Sequence, residues 1–311
     1  MERYRILEEL GQGAFGKVYK AERKEDGGAL ALKCLTVDSL DVGQVVLKEI
    51  IALQQAVGKH PHILQFIGLM TADAGLNTPA LNVCLIVEYC DGGTLDRFIL
   101  SARPSRATVL QLLCDTAEGV AYLHSRNVDH GALKPDNILV DNSGQRPIVK
   151  IADFGLARVR ALGEWAVNYV QTMVMYLPPE LLLVMLAQPH TIVTNTSMAD
   201  VFALGLIIAA ILDLTTDSTP SPTDPADPAT DPGATRKLVP AVYVDGKPTP
   251  VAKVMITHPE FPVADMLMTS EPQGSPVKAL VLAMLAVNPQ QRPTSEQVLC
   301  SLMRITGASD G

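Results

Sequence analysis

After Gly92-Gly93 the chain changes its apolar rhythm, and that change constrains the fold more than any single residue. Before it, short β-rich runs are separated by turns: Tyr4–Leu10, Lys17–Glu22, Ala29–Leu35, Ile63–Met70 and Val83–Tyr89. One stretch among them, Val45–Val57, carries apolar residues at helical spacing. After it, Thr108–Ser125, Ser197–Leu212 and Val277–Ala286 repeat their apolar residues with the helical period. Pro and Gly mark most of the joints. The expected fold class is α+β and bilobal. A small β-rich lobe with one helix covers about residues 1–90, and a larger helical lobe covers about residues 91–306.

Composition narrows the setting. Apolar residues make up 48% of the 311, enough for a sizeable core. The formal net charge of −8 argues against nucleic acid or an anionic membrane as the main partner. Much of that charge is local. Asp213–Pro232 holds five Asp and no Lys or Arg, and its repeated Asp-Pro steps forbid helix and sheet alike. Residues 213–236 are therefore expected to be a solvated, disordered acidic insertion. The sharper alternative is a docking or phosphorylation segment, since Thr219 and Ser221 each precede a Pro. Thr71–Leu81 reads as a mobile loop between two strands.

The five Cys are scattered, with no C-x-x-C pair and no zinc spacing, which fits a reducing compartment. The longest apolar run, Val201–Leu212, is shorter than the ~20 residues a bilayer span needs. Met1-Glu2-Arg3-Tyr4 opens no signal-peptide core. A soluble, cytoplasmic protein is expected.

The chemistry begins at Gly11-Gln12-Gly13-Ala14-Phe15-Gly16, a G-x-G-x-x-G. Glycines of this kind let backbone amides approach phosphate oxygens without side-chain clash. Dinucleotide-binding folds share the spelling, but their loop opens a helix, whereas β-like Lys17-Val18-Tyr19-Lys20 follows here. A bare glycine hairpin is the bland alternative. Ala31-Leu32-Lys33 lies one strand further on, and Glu49 sits on the predicted helix. Further motifs follow in order: Val87-Glu88-Tyr89-Cys90-Asp91-Gly92-Gly93, then His130-Gly131-Ala132-Leu133-Lys134-Pro135-Asp136-Asn137, then Asp153-Phe154-Gly155 behind the strand Ile148–Ile151. Pro178-Pro179-Glu180, Asp200 and Arg292 complete the series.

Jointly these motifs resemble the protein kinase superfamily, over Tyr4 to Ile305, nearly the whole chain, and so imply one kinase-like domain over 1–311. Lys134, two positions beyond Ala132, is the Ser/Thr-kinase form of the loop. Within the superfamily, His60–Phe66, the loop after it and Val287-Asn288-Pro289 look most like the Numb-associated kinase group. The resemblance implies ATP and Mg²⁺ as cofactors. Leu10, Gly11, Gln12, Gly13, Ala14, Phe15, Gly16, Lys17 and Val18 would cover the nucleotide. Ala31, Val87, Glu88, Cys90 and Leu139 would surround its base, with Glu88 and Cys90 offering backbone groups to the adenine edge. Lys33, held by Glu49, would contact the phosphates, while Asp153 and Asn137 would hold the metal. Asp200 would anchor the catalytic loop, and Arg292 would pair with Glu180.

Three departures cluster on one function. Ala132 stands where the family has its catalytic Asp, Gly131 where it has an Arg that reads a phosphorylated activation loop, and Met173 where Ser/Thr kinases place a Thr. A methyl group cannot receive a hydroxyl proton, and losing a general base costs typically ~10²–10⁴ in rate. Asp129 and Asp136 are the nearest substitutes. The first occupies a position that is usually apolar, the second one that usually faces solvent, and neither is expected to serve. The reading is an ATP-binding pseudokinase acting as a binding or switch module, with its protein partner unidentified. The alternatives are a weakly active or unconventional Ser/Thr kinase and a scaffold that binds no nucleotide.

Overall fold

The β-rich runs of the first lobe pair into one antiparallel sheet. Its strands are β1 (Tyr4–Gly13), β2 (Gly16–Arg23), β3 (Ala29–Val37), β4 (Phe66–Asp73) and β5 (Leu81–Glu88), in the order β1-β2-β3-β5-β4. The computed structural model describes residues 3–13, 16–37, 51, 54, 57–73, 81–154, 174–187, 196–216, 241–244, 247–260, 263–269 and 271–307. Strand pairing runs past the ends expected from sequence, because the β1–β2 ladder continues to Gly13 opposite Gly16. Ile51, Gln54 and Val57 are helical, as the spacing requires; Glu49 lies outside the described residues. Of the expected Thr71–Leu81 loop, Thr71–Asp73 belongs to β4 and Leu81 to β5, and residues 74–80 lie outside the description.

Successive side chains on a strand face opposite sides. Leu30 and Leu32 of β3 pack with Ala21 and Ile86, and half-buried Cys34 packs against that cluster. Cys34 stands opposite Cys84 in the β3–β5 register, and the two form a disulfide across a sequence separation of 50. The spacing of the cysteines announced no pair. Strand register supplies it.

The second lobe is built around a helix with no polar side. We label its elements α1 (Leu95–Ala102), α2 (Arg106–Ser125), β6 (Ile138–Asp141), β7 (Ile148–Ile151), α3 (Pro179–Ala187) and α4 (Ser197–Thr216). A small hairpin, β8 (Ala241–Val244) and β9 (Lys247–Pro250), precedes α5 (Val251–Thr257), α6 (Val263–Met266), α7 (Pro276–Met284) and α8 (Ser295–Thr306). Val201, Phe202, Leu204, Leu206, Ile207, Ile208, Ile211 and Leu212 of α4 are fully buried. A helix apolar all round has to lie inside the core, and α4 does. Gly119 lets α2 lie close to β7, because a Cβ there would sit 2.7 Å from Ile151 Cδ1. No helix among the described residues is long and apolar enough to cross a membrane.

Of the segment expected to be an acidic insertion, residues 213–216 belong to α4. α4 continues through Thr216, and Asp213 Oδ2 accepts a 2.9 Å hydrogen bond from the Met268 amide. Met268 has φ +54, uncommon for a non-glycine residue, and its buried amide is satisfied by that carboxylate. Residues 217–240 lie outside the description.

Candidate functional site

β3 delivers Lys33 to the space between the lobes. Its Nζ pairs with the Asp153 carboxylate, 120 residues away in sequence, and both side chains are largely buried. Asp153 adopts φ +62, a left-handed conformation uncommon for a non-glycine residue. Its neighbour Phe154 is only 4% exposed and packs into the core of the helical lobe. The twist therefore buries the ring while the carboxylate reaches Lys33. The expected partner of Lys33 was Glu49, which lies outside the described residues; among them the partner is Asp153.

Asn137 ends a 3-10 turn, Pro135–Asn137. Its Nδ2 donates 2.8 Å to the Ala132 carbonyl, and its own carbonyl accepts 2.8 Å from the Ala152 amide. The side-chain nitrogen is thus committed, and Oδ1 is the atom left for a ligand. A carboxylate and an amide oxygen are hard donors, the kind Mg²⁺ takes, so Asp153 and Asn137 fit the metal that the sequence implies.

The loop that leads into Asn137 is held by its backbone. Asp200 Oδ2 accepts 2.7 Å from the His130 amide, and Oδ1 accepts 2.9 Å from the Gly131 amide. His124 Nε2 lies 3.1 Å from the same carboxylate, and His124 Nδ1 lies 2.8 Å from Ser295 Oγ. His130 is fully buried, and its Nε2 lies 3.0 Å from the Ala152 carbonyl. Nε2 must therefore carry the proton, while Nδ1 accepts 3.2 Å from the Ala132 amide. Burial holds the His130 pKa below its ordinary value, against the pull of Asp200 and Asp153. Gly131 has φ +78, a backbone position that glycine adopts without strain.

Within this frame the methyl of Ala132 is 3% exposed. Lys134 Nζ lies 3.2 Å from Asp136 Oδ2, and the Asp136 side chain is 36% exposed. Asp136 keeps that exposure while it pairs with Lys134. Asp129 falls with His124 and Asp200, their ligand atoms within 4.8 Å of one another. Tyr176 is buried, and its hydroxyl is pushed well above its usual range by that burial, then by Asp136 and Asp96. It is therefore not displayed to a modifying enzyme here. Met173, Thr172, Tyr169 and Gly155 lie outside the described residues.

The glycine turn and the inter-lobe connection complete the site. Register places Gly11 opposite Val18 and Gln12 opposite Lys17; Ala14 and Phe15 are outside the description. Leu10 is exposed, while Ala31 is buried and lies opposite Val87. The Glu88 amide donates 3.0 Å to the Gln65 carbonyl. Glu88 Oε1 accepts 2.7 Å from the Gln65 amide and sits 3.1 Å from Lys150 Nζ. No motif in the sequence hints at this clamp, which fixes the connection through the Glu88 side chain as well as its amide. Cys90 is buried, and desolvation pushes its thiol up to about 12, so it stays protonated. Beyond it, Gly92 and Gly93 exchange backbone bonds of 2.9 and 2.8 Å with Val140, and Thr94 bridges to Leu139 on β6. Further off, Arg292 makes paired 2.7 Å bonds to Glu180 and lies over the Phe202 ring.

Residues 4–302 match the family model described as Protein kinase domain. Cyclin-dependent kinase-like 4 of Mus musculus is 29% identical over 97% of this chain and 83% of its own length. Putative cyclin-dependent kinase F-2 of Oryza sativa subsp. japonica is 33% identical over 68% of this chain; the match spans 62% of that protein.

Proposed function

The chain belongs to the protein kinase domain family, and from that premise we propose that it is an ATP·Mg²⁺-binding pseudokinase of Ser/Thr type. It would work in the cytoplasm as a nucleotide-dependent binding or switch module for a protein partner. One observation carries the reading. The loop is held in place by Asp200, His130 and Asn137, yet the position of the base is a buried methyl group at Ala132. When bound, Mg²⁺ would neutralise phosphate charge. Lys33 would orient the phosphates, Asp153 and Asn137 would ligate the ion, and the backbone of Glu88 and Cys90 would meet the adenine edge. Ala132 supplies no atom that takes a proton from an incoming hydroxyl. The Numb-associated likeness rests on His60–Phe66, the loop after it and Val287–Pro289 alone, since both relatives carry cyclin-dependent-kinase names.

The test is ATP binding and phosphotransfer measured on one purified sample. At a hundredfold excess over Kd a ligand stabilises by ~2.7 kcal/mol, so ATP·Mg²⁺ should raise Tm by a few degrees while labelled phosphate stays on ATP. No thermal shift and no calorimetric heat at millimolar ATP would favour the scaffold instead. A second reading, a slow kinase, is favoured by the Lys134–Asp136 pair, which sets a carboxylate two residues from the usual Lys. Robust transfer by the unmodified chain, abolished by Asp136→Asn, would promote it.

A further inference from the structure

Two cysteines directly opposite one another in a ladder are already positioned for a bond, whatever the state of their sulfurs. Cys34 and Cys84 are such a pair, with Cα atoms 4.0 Å apart. Their neighbours in register are Lys33 opposite Leu85 and Leu35 opposite Val83. Cys34 follows Lys33 on β3, and β5 runs on from Cys84 into Val87 and Glu88. Any link between these sulfurs therefore joins the strand of the phosphate lysine to the strand that leads to the adenine edge. Alternation puts Cys34 on the face opposite Lys33, where it packs beside Leu30, Leu32 and Ile86. The link can form without entering the cleft.

We propose that Cys34 and Cys84 are a reversible redox clamp on the nucleotide-binding lobe, closed by a peroxide and opened by a dithiol. Cys34 is the more exposed of the two, half-buried where Cys84 is 8% exposed, and reacts first. Its thiolate attacks one peroxide oxygen, the O–O bond breaks, and the sulfur becomes a sulfenic acid as hydroxide leaves. Cys84 thiolate then attacks that sulfur, forming the S–S bond and expelling a second hydroxide. The two thiol protons turn both hydroxides into water, each sulfur loses one electron, and the peroxide gains two. Disulfides in reducing compartments are mostly transient and redox-sensing, so the pair is compatible with the setting expected from the dispersed cysteines. The loop it closes contains the helical residues Ile51, Gln54 and Val57. Closing a loop of that length restricts the unfolded chain, and tying β3 to β5 keeps Lys33 and the adenine-edge strand in one register.

The effect on nucleotide rests on the ATP-binding reading above, and the experiment separates the two. One preparation of the full chain is split, one half treated with hydrogen peroxide and then catalase, the other with dithiothreitol. Peptide mapping after alkylation reads the Cys34–Cys84 link, a melting curve reads stability, and calorimetry reads ATP·Mg²⁺ affinity. The oxidised half should contain the linked peptide, melt several degrees higher and bind ATP·Mg²⁺ severalfold more tightly. Cys34→Ser and Cys84→Ser should each erase the difference between the halves. Should a serine variant fail to fold, the wild-type halves decide alone. No linked peptide, or a linked peptide with unchanged Tm and affinity, overturns the clamp. ATP binding in neither half sinks the nucleotide reading, while the melting difference still judges the clamp.

Discussion

The two sides of the cleft have been treated differently. On the phosphate side, the side chains themselves carry the geometry: Lys33 reaches Asp153, and Asn137 commits its nitrogen to Ala132. On the proton-transfer side, the geometry belongs to the backbone. Asp200 grips the amides of His130 and Gly131 whatever side chains those residues carry, and Asn137 grips the carbonyl of Ala132, not its side chain. The difference explains how this loop can lose the side chains at 131 and 132 and keep its course. It also says where substitutions should be costly and where they should be gains.

The sharpest way to break this comparison is to refill the empty side. Ala132→Asp should raise phosphotransfer from near zero by up to the ~10²–10⁴ that a general base supplies, about 3–5 kcal/mol of barrier. Met173→Thr should help. Gly131→Arg should help less than a family comparison suggests, because φ +78 strains any L side chain by ~1–2 kcal/mol. Single-turnover transfer to a Ser/Thr substrate measures the gain. An Ala132→Asp variant that binds ATP tightly and transfers nothing would place the defect in substrate docking.

The next effect tests the backbone frame. Asp200→Ala strands two amides, those of His130 and Gly131, and removes an acceptor beside His124. Each unsatisfied buried donor costs about 1–3 kcal/mol, so urea denaturation should show a loss of a few kcal/mol. A variant as stable as the parent would mean that the loop is held by something other than Asp200.

How much of this was legible in the sequence follows from what each feature depends on. Lys33, Asn137, Asp153, Asp200 and Arg292 were legible because each lies inside a short motif with fixed spacing. The β-to-helix change at Gly92-Gly93 was legible because periodicity is local. Long-range register was not. Nothing near Cys34 points to Cys84, and nothing in Glu88 points to Lys150 and Gln65. Asp213 was misread for a related reason. Asp-Pro repeats downstream coloured the whole segment, while α4 runs to Thr216. Helices α1, α3, α5, α6 and α8 went unmarked; the first four are short, whereas α8 carried a signal that was passed over, the capping box of Thr294 and Gln297.

On the phosphate side, Lys33→Met should weaken ATP·Mg²⁺ binding by about tenfold or more, since a hydrogen bond to a charged group contributes about 1.5–3 kcal/mol. Lys24→Met, in an exposed turn, should change little. Equal affinity in both variants, read by calorimetry, would show that Lys33 is structural. Lys33→Met also takes the paired cation away from the Asp153 carboxylate, so part of the loss should appear as lower stability without nucleotide.

The smallest effect is set by pH and separates the frame from the ligand groups. Burial lowers the folded-state pKa of His130 below its unfolded value of 6.5. The unfolded chain therefore takes up this proton first. Stability from neutral His130 is fully present above pH 6.5 and is lost as pH falls below it, by up to about 1.4 kcal/mol per pH unit for one proton. His60 is shifted in the same direction, also chiefly by burial, and adds to the slope. Denaturation series between pH 7.5 and about 5.5 should thus show falling stability, with the slope reduced in His60→Asn. A flat profile would mean that protonating His130 at Nδ1, which ends its bond from the Ala132 amide, costs the folded state nothing measurable. The loop would then tolerate charge at its centre, and its hold would come from Asp200 and Asn137.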